Sequence, residues 1–409
     1  MRSSVVVAGT TPDYIDWIRT EAPGAAVFLT DPLLRSGAAE PDPAPWEEVL
    51  CDLSDHERAQ RTLREHLDRW GIRPAGMACY DCESLDLAAL LAERLGLPFA
   101  SRGAVARSRD KRRSKRLWKE HGLPCPEART IRGADDLVAF RNERGEAVVL
   151  KPLRGTGSEL VFLCDSEDEC RRAATTVLDG VRLRPALGGA VAEERIRGTE
   201  YSCDFTVSGD DVRLLRLTRK VALPGGPFGE TTGYLLCPRM PEQQDRTDFS
   251  ETLRRSAAAL GIANGFCMID FIVRDGIPVL LELAPRPGGD CLPQLLRTAR
   301  GVDVILEELR FARGFPVRCE WREGGTFFLG LRLIARTGGV LRGISTDLLQ
   351  RDRRVLEIGG LREPGHRIVL PPEDYDSRIL GWAVARLDDG DPDGQAAELA
   401  SLWSAEVGG

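Results

Sequence analysis

Histidine is scarce in this sequence: four residues in 409, at positions 56, 66, 121 and 366, with none spaced as HxxxH or HExxH. That excludes the paired-histidine zinc signature and speaks against imidazole acid–base chemistry. Long apolar runs are missing too, none approaching the roughly 20 residues a membrane span needs. Met1-Arg2-Ser3-Ser4 leads only into the short run Val5–Ala8 before Gly9, which does not read as a signal peptide. The lone CxxC, Cys79-Tyr-Asp-Cys82, has no second pair at zinc spacing, and the cysteine count of 11 is odd. Reduced thiols in the cytoplasm are the expectation, rather than disulfides. No GxGxxG follows the first apolar run, and GKS or GKT is absent, so neither a dinucleotide fingerprint nor a P-loop is present. A basic excess is lacking as well: the net charge of −7 gives no whole-molecule basis for nucleic-acid binding.

What is present begins as strand–helix alternation. Ser3–Gly9, Ala25–Leu29 and Ala75–Tyr80 read as strands; Pro12 to about Ala22, Asp55–Trp70 and Glu83–Leu95 read as helices. A parallel, open α/β domain is predicted over 1–100. Ser101–His121 is predicted as one basic helical segment carrying Lys111 directly after Asp110, followed by the stiff break Gly122-Leu-Pro-Cys-Pro126. From residue 325 the spacing changes to short β runs between Gly/Pro turns, with a last helix over Ala396–Ser404, which predicts a small β-rich domain packed over the centre.

The middle of the chain holds the charged residues that matter. Ala147–Pro152 reads as a strand with Lys151 near its end, running into Arg154-Gly155-Thr156-Gly157-Ser158 and a further strand to Cys164. A glycine-rich hairpin is usually only a turn, but a lysine in the preceding strand favours backbone N–H groups turned toward phosphate oxygens. Ala190–Ile196 places Glu193 and Glu194 within an apolar strand, with Glu200 soon after, and Lys220 follows a hairpin centred on Gly209-Asp210. The loop 224–238, with Glu230 and Tyr234, suits a substrate loop. Then come two alternating runs around the turn Asp275-Gly276, each with one acid, Asp270 and Glu282, both six residues from Gly276. A hairpin turning there sets the two carboxylates opposite each other, where they repel unless a cation intervenes. Hard oxygen ligands at that separation suit Mg²⁺, with Mn²⁺ as the alternative ion. Pro285-Arg286-Pro287-Gly288-Gly289 just beyond supplies a guanidinium and a flexible glycine pair for an anion.

Taken in order, these motifs resemble the ATP-grasp superfamily of ATP-dependent carboxylate–amine ligases, most closely in appearance the L-amino acid ligase group. The resemblance implies an α/β and α+β architecture. It divides the chain into a pre-ATP-grasp domain (1–100), an ATP-grasp domain (101–324, with a lid lobe at about 127–193 and a central lobe at 194–324) and a C-terminal β-rich domain (325–409). It implies that Lys111, Lys151 and the lid Gly155-Thr156-Gly157-Ser158 meet ATP phosphates, and that Glu193, Glu194, Arg195 and Ile196 border the adenine. Glu200 would take the ribose, Asp270 and Glu282 magnesium. Lys220 and Arg286 would be catalytic, with Arg286, Glu230, Tyr234, Gly288 and Gly289 around the substrate. Ala284 stands where many members have Asn, leaving the metal shell one protein ligand short. The implied reaction phosphorylates a carboxylate, such as an amino acid, for attack by an amine to form an amide or dipeptide in specialised metabolism. A bicarbonate-phosphorylating carboxylase and a nucleotide-binding regulator without chemistry are the alternatives. Small-molecule carboxylates and amines are the expected partners, without nucleic acid or membrane, and a homodimer is compatible with the outer domains.

Overall fold

The computed structural model describes residues 2–36, 42–222, 226–241 and 246–408. Pro41, the start of a Pro-rich stretch (Pro41–Pro45) that reads in the sequence as a surface loop, and residues 223–225 of the expected substrate loop lie outside them. Among the described residues, no helix is long and apolar enough to cross a membrane.

The first unit is the anticipated parallel sheet, ordered Glu48–Leu50, Ala26–Thr30, Arg2–Ala8, Ile72–Ala78. Its strands are almost continuously apolar because both faces are covered, as parallel sheets require. Helices His56–Trp70 and Leu85–Leu95 cover one face around Val6, Val27 and Leu63. On the other face Val5, Val7 and Phe28 share one core with Ile15 of helix Pro12–Glu21 and with Leu295 and Ile305 of helices Leu292–Arg300 and Val304–Ala312. This unit is therefore fused through packed side chains to the rest of the molecule. The short edge strand Glu48–Leu50 escaped sequence reading because three residues carry no periodicity.

The basic segment 101–121 is two helices, Arg102–Arg109 and Lys111–Glu120. Asp110 breaks it: its backbone is extended and its side chain accepts a 2.8 Å hydrogen bond from the Arg113 N–H. It caps the second helix and sets Lys111 at that helix's first position.

Two sheets follow. The smaller is antiparallel, ordered Ala128–Ile131, Ala190–Glu194, Val148–Pro152, Phe162–Cys164, and is backed by helices Ala134–Arg144 and Glu167–Leu183. The larger has eight strands, ordered Ile277–Ala284, Asn264–Arg274, Thr199–Ser208, Asp211–Val221, Gly233–Leu236, Phe328–Ile334, Ile379–Arg386, Val355–Gly359. Residues 195–198 link the two sheets. Gly198 sits where a side chain cannot: at φ 148° its added Cβ would lie 2.2 Å from the Val273 carbonyl oxygen.

The C-terminal segment is not the separate β-rich domain expected. Phe328–Ile334 pairs antiparallel with Gly233–Leu236, so with Ile379–Arg386 and Val355–Gly359 it extends the large sheet edge to edge, while Gly339–Ser345, Arg367–Ile368 and Ser404–Gly408 form a three-stranded sheet of their own. The last helix spans Pro392–Ala400 rather than 396–404. Asp391 caps it with Pro392 in its first turn, and Ser404 belongs to the strand Ser404–Gly408.

Candidate active site

The hairpin Asn264–Arg274/Ile277–Ala284 turns at Asp275-Gly276 and pairs Asp270 directly with Glu282. Because side chains alternate along strands, the paired residues Asp270 and Ser202, then Glu200 two residues away on Thr199–Ser208 and Lys220 on the neighbouring strand Asp211–Val221, fall on the same face. Lys220 pairs with Tyr234, which pairs with Gly330, and Arg332 follows two residues later. One face of the large sheet thus presents acids, then a lysine, then a tyrosine and an arginine.

Lys220 Nζ lies 2.7 Å from Glu200 Oε1 and 2.7 Å from Asp270 Oδ2. Helix Lys111–Glu120 and the small sheet close over this row. Lys111 Nζ is 3.3 Å from Glu282 Oε2 and donates to the Gly155 carbonyl at 3.2 Å. Lys151 Nζ reaches Glu193 Oε2 at 2.8 Å. Lys115, one helical turn after Lys111, is 1% exposed; its Nζ lies 2.8 Å from Glu193 Oε1 and donates to the Leu281 carbonyl at 2.5 Å. The result is four lysines against four carboxylates, Glu193, Glu200, Asp270 and Glu282, in one cluster.

The electrostatics follow from burial and neighbours. Burial by itself raises both facing carboxyls. For Glu282, Lys111, Lys151 and Lys220 outweigh burial and hold the group down at about 2. Asp270 goes the other way: burial, with Glu282 and Glu200 adding to it, leaves its carboxyl raised despite Lys220. Burial pushes Lys115 down to about 8 although Glu193 opposes this. Glu193 itself is lowered, burial being overcome by Lys115 and Lys151.

Asp270 is 8% exposed, and its Oδ1 has no hydrogen-bond partner. A buried carboxylate oxygen left open beside a second carboxylate is a donor set that fits a divalent cation. Among the described residues no group of three His, Cys, Asp or Glu could hold a metal by itself. Asp270 and Glu282 would supply two ligands, leaving the remaining positions to phosphate oxygens and water, as suits Mg²⁺.

Beyond the acids lies a cationic corner. Arg286 Nε donates to Cys82 Sγ at 3.0 Å and its Nη1 to the Pro287 carbonyl at 2.6 Å. Gly288 N–H donates to Asp204 Oδ1 at 2.8 Å, and Asp204 is itself gripped by the fully buried Arg216 through two hydrogen bonds of 2.7 and 2.9 Å. A Cβ at Gly288 would come 2.8 Å from Arg216 Nη2, so only glycine fits this anchor. A Cβ at Gly289 would lie 3.9 Å from both Arg286 Nη1 and the Tyr14 hydroxyl, which leaves room above the guanidinium. Arg332 closes the corner: its Nε is 2.9 Å from Asp290 Oδ2, and Tyr234 Oη donates to the same oxygen at 3.4 Å.

The remaining candidates fall elsewhere. Glu230 is buried with both oxygens taken, one by Arg336 at 2.5 Å and the other by Arg378, so it braces its loop. Glu194 accepts from the Glu127 N–H at 3.2 Å and meets Arg274 at 3.3 Å. Arg195 and Ile196 follow in the link between sheets. Lys115, Arg332 and the Asp204–Arg216 pair were not singled out from sequence. Their signals were present: a lysine four residues after Lys111, and single charges inside the apolar runs Phe328–Ile334, Cys203–Phe205 and Leu215–Leu217.

Against known proteins, the ATP-grasp domain family matches residues 108–290. An uncharacterized protein of Sinorhizobium fredii, y4rH, is 27% identical over 301 residues, 72% of this chain and 60% of its own length. The D-alanine–D-alanine ligase of Cupriavidus necator is 28% identical over 229 residues, 53% of this chain and 67% of its own. The chain thus spans 60% and about two thirds of these relatives. Among solved structures, an L-amino acid ligase from Bacillus licheniformis superposes over 100% of both chains with a TM-score of 0.78 at 19% identity, a likeness of fold.

Proposed function

We propose, from the ATP-grasp domain matched over residues 108–290, that the chain is a carboxylate–amine ligase that activates a carboxylic acid with ATP and joins it to an amine. We take the acid to be an amino acid and the product a dipeptide or related amide. The observation that carries the reading is the Asp270/Glu282 pair with its open Asp270 Oδ1, ringed by Lys111, Lys115, Lys151 and Lys220.

A carboxylate is a poor acyl donor at neutral pH. In the proposed reaction its oxygen takes the γ-phosphoryl of ATP, giving an acyl phosphate and ADP; the amine then attacks the acyl carbon and phosphate leaves. Such transfer is mainly positioning and charge neutralisation. Enzymes of this superfamily use ATP and Mg²⁺, and when bound between Asp270 and Glu282 the ion would supply a clamp on phosphate oxygens. Lys111 and Lys151 face the phosphates beneath the loop 155–158. Lys220, already between Glu200 and Asp270, can turn to the phosphoryl group. Glu193, Glu194, Arg195 and Ile196 border the base, and Glu200 the ribose. Arg286 grips the acid's carboxylate as a two-hydrogen-bond fork, with Arg332 and Tyr234 beside it and Gly288-Gly289 giving it room. All eleven cysteines are unpaired thiols, which suits a reducing, cytoplasmic setting.

The test is release of ADP and phosphate with Mg-ATP against amino acids singly and in pairs, with product masses. Release that needs two amino acids, and a product equal to their sum less water, is the expected outcome. Release driven by bicarbonate alone would move the assignment to a carboxylase. ATP binding with no turnover on any acid would move it to a regulator.

A further inference from the structure

The glycine-rich loop is braced from outside its own lobe. Its base is fixed locally: Leu153 N–H donates to the Gly189 carbonyl at 2.8 Å and Arg154 N–H to the Leu187 carbonyl at 2.9 Å. Its tip bends against preference, with Gly157 at φ 62°, Ser158 at 61° and Leu160 at 53°. Left-handed backbone at Ser and Leu persists only where surrounding contacts hold it. Ser158 is held by the loop at Gly229 and Leu160 by the core of its own lobe, while the N-terminal α/β unit grips the loop at Thr156 and Arg154, from the turn after strand Ile72–Ala78 and from the first turn of helix Leu85–Leu95. Thr156 Oγ1 donates to Glu83 Oε1 at 3.1 Å, and Arg154 Nη1 lies 3.2 Å from Asp86 Oδ2. Ser158 Oγ donates to the Gly229 carbonyl at 2.7 Å, and Lys111 holds the Gly155 carbonyl from below. The same turn carries Cys82, whose sulfur receives the Arg286 Nε–H.

We propose that Glu83, on the turn that also orients Arg286 through Cys82, and Asp86, in the first turn of the helix that follows, are positioning residues that hold the glycine-rich loop shut over the phosphate site. The inference deepens the ligase reading and rests on it for its catalytic consequence. A shut loop keeps water from the acyl phosphate, so the latch determines how many activated acyl groups reach the amine. Neither acid contacts the Lys–carboxylate cluster in the structure, so loosening the latch leaves phosphoryl transfer in place and lets hydrolysis compete.

The test is a double-mutant cycle on Glu83→Ala and Thr156→Ala in the full chain, with Asp86→Asn and Thr156→Ser alongside. Glu83 is exposed, so folding is not at stake there. Amide formed per ADP released should fall about twofold or more in each alanine variant, fall no further in the double variant, and return with Thr156→Ser. In Glu83→Ala and Asp86→Asn the Michaelis constant for ATP should rise while the maximal rate of ADP release stays within about twofold. Backbone hydrogen exchange of residues 154–160 in the nucleotide-free protein, which needs no substrate, should quicken at least about threefold in Glu83→Ala and Asp86→Asn. Exchange and coupling equal to wild type, or additive effects across the cycle, would overturn the latch. If wild type ligates nothing, the ligase reading fails, and the exchange experiment still decides whether the latch exists.

Discussion

Glu282 and Asp270 are chemically alike and face each other, yet their neighbours separate them: three lysines hold Glu282 ionised while burial holds Asp270 up. Glu282→Ala should therefore abolish ADP formation, a loss of at least about a hundredfold, while the circular dichroism spectrum and melting temperature stay close to wild type; near-normal turnover would remove the metal assignment. Arg286→Lys keeps the charge but loses the fork, and should raise the Michaelis constant for the acid about tenfold or more; an unchanged value would place the carboxylate elsewhere. A third residue acts on stability. Glu308 is 4% exposed in a cavity lined by Met77, Phe99 and Phe311, its Oε2 has no partner, and burial, with Asp204 adding, raises its carboxyl to about 8. Between the ordinary carboxylate range and about pH 8 the unfolded chain has released this proton and the folded chain retains it. Folding stability should fall as pH rises through that window and level off above it. In Glu308→Gln the melting temperature should decline less between pH 5 and 8 than in wild type; parallel curves would contradict the assignment. Residue identity told much of this beforehand: Asp270 opposite Glu282 followed from counting to Gly276. Glu308 did not, because an acid on an amphipathic helix looks solvated until its packing partners, far away in sequence, are known.

At the scale of elements, Asp110 shows how one residue divides a run that otherwise reads as continuous helix. Asp110→Ala removes the cap on Lys111–Glu120 and should cost about 1 kcal/mol of stability. Since the capped turn presents Lys111, the Michaelis constant for ATP should rise with it; a melting-temperature change with no kinetic effect would separate the cap from the site. Strands and helices with full periods, such as His56–Trp70 and the Asp275-Gly276 hairpin, were legible in the sequence. Glu167–Leu183 was overlooked although Ser166 and Glu169 form a capping box at its start. The strands Gly339–Ser345 and Ser404–Gly408 were missed because they pair mainly with each other across the whole C-terminal segment, with only the two-residue strand Arg367–Ile368 added beside the first. The sequence also misdirected at Glu230, where acidity in a loop suggested substrate contact and two arginines from turns flanking later strands claim it instead.

For the whole molecule, the decisive fact is that the large sheet crosses the boundary drawn at residue 325. Spacing alone marks a change of character there but carries no information about which edge a new strand joins. Removing 325–409 would strip Phe328–Ile334 from Gly233–Leu236 and leave an open edge beside Tyr234, so the truncated chain should aggregate; a soluble, monomeric 1–324 fragment on gel filtration would contradict this. The same face yields one more consequence. Four ammonium groups and four carboxylates cancel within the cleft, so little field extends beyond the Debye length of about 8–10 Å at moderate salt. A nucleotide approaching from solution is not drawn in from afar. Its arrival should proceed at an ordinary diffusive rate that ionic strength barely alters, and affinity should instead reside in how slowly it departs once the lysines exchange their carboxylates for phosphates.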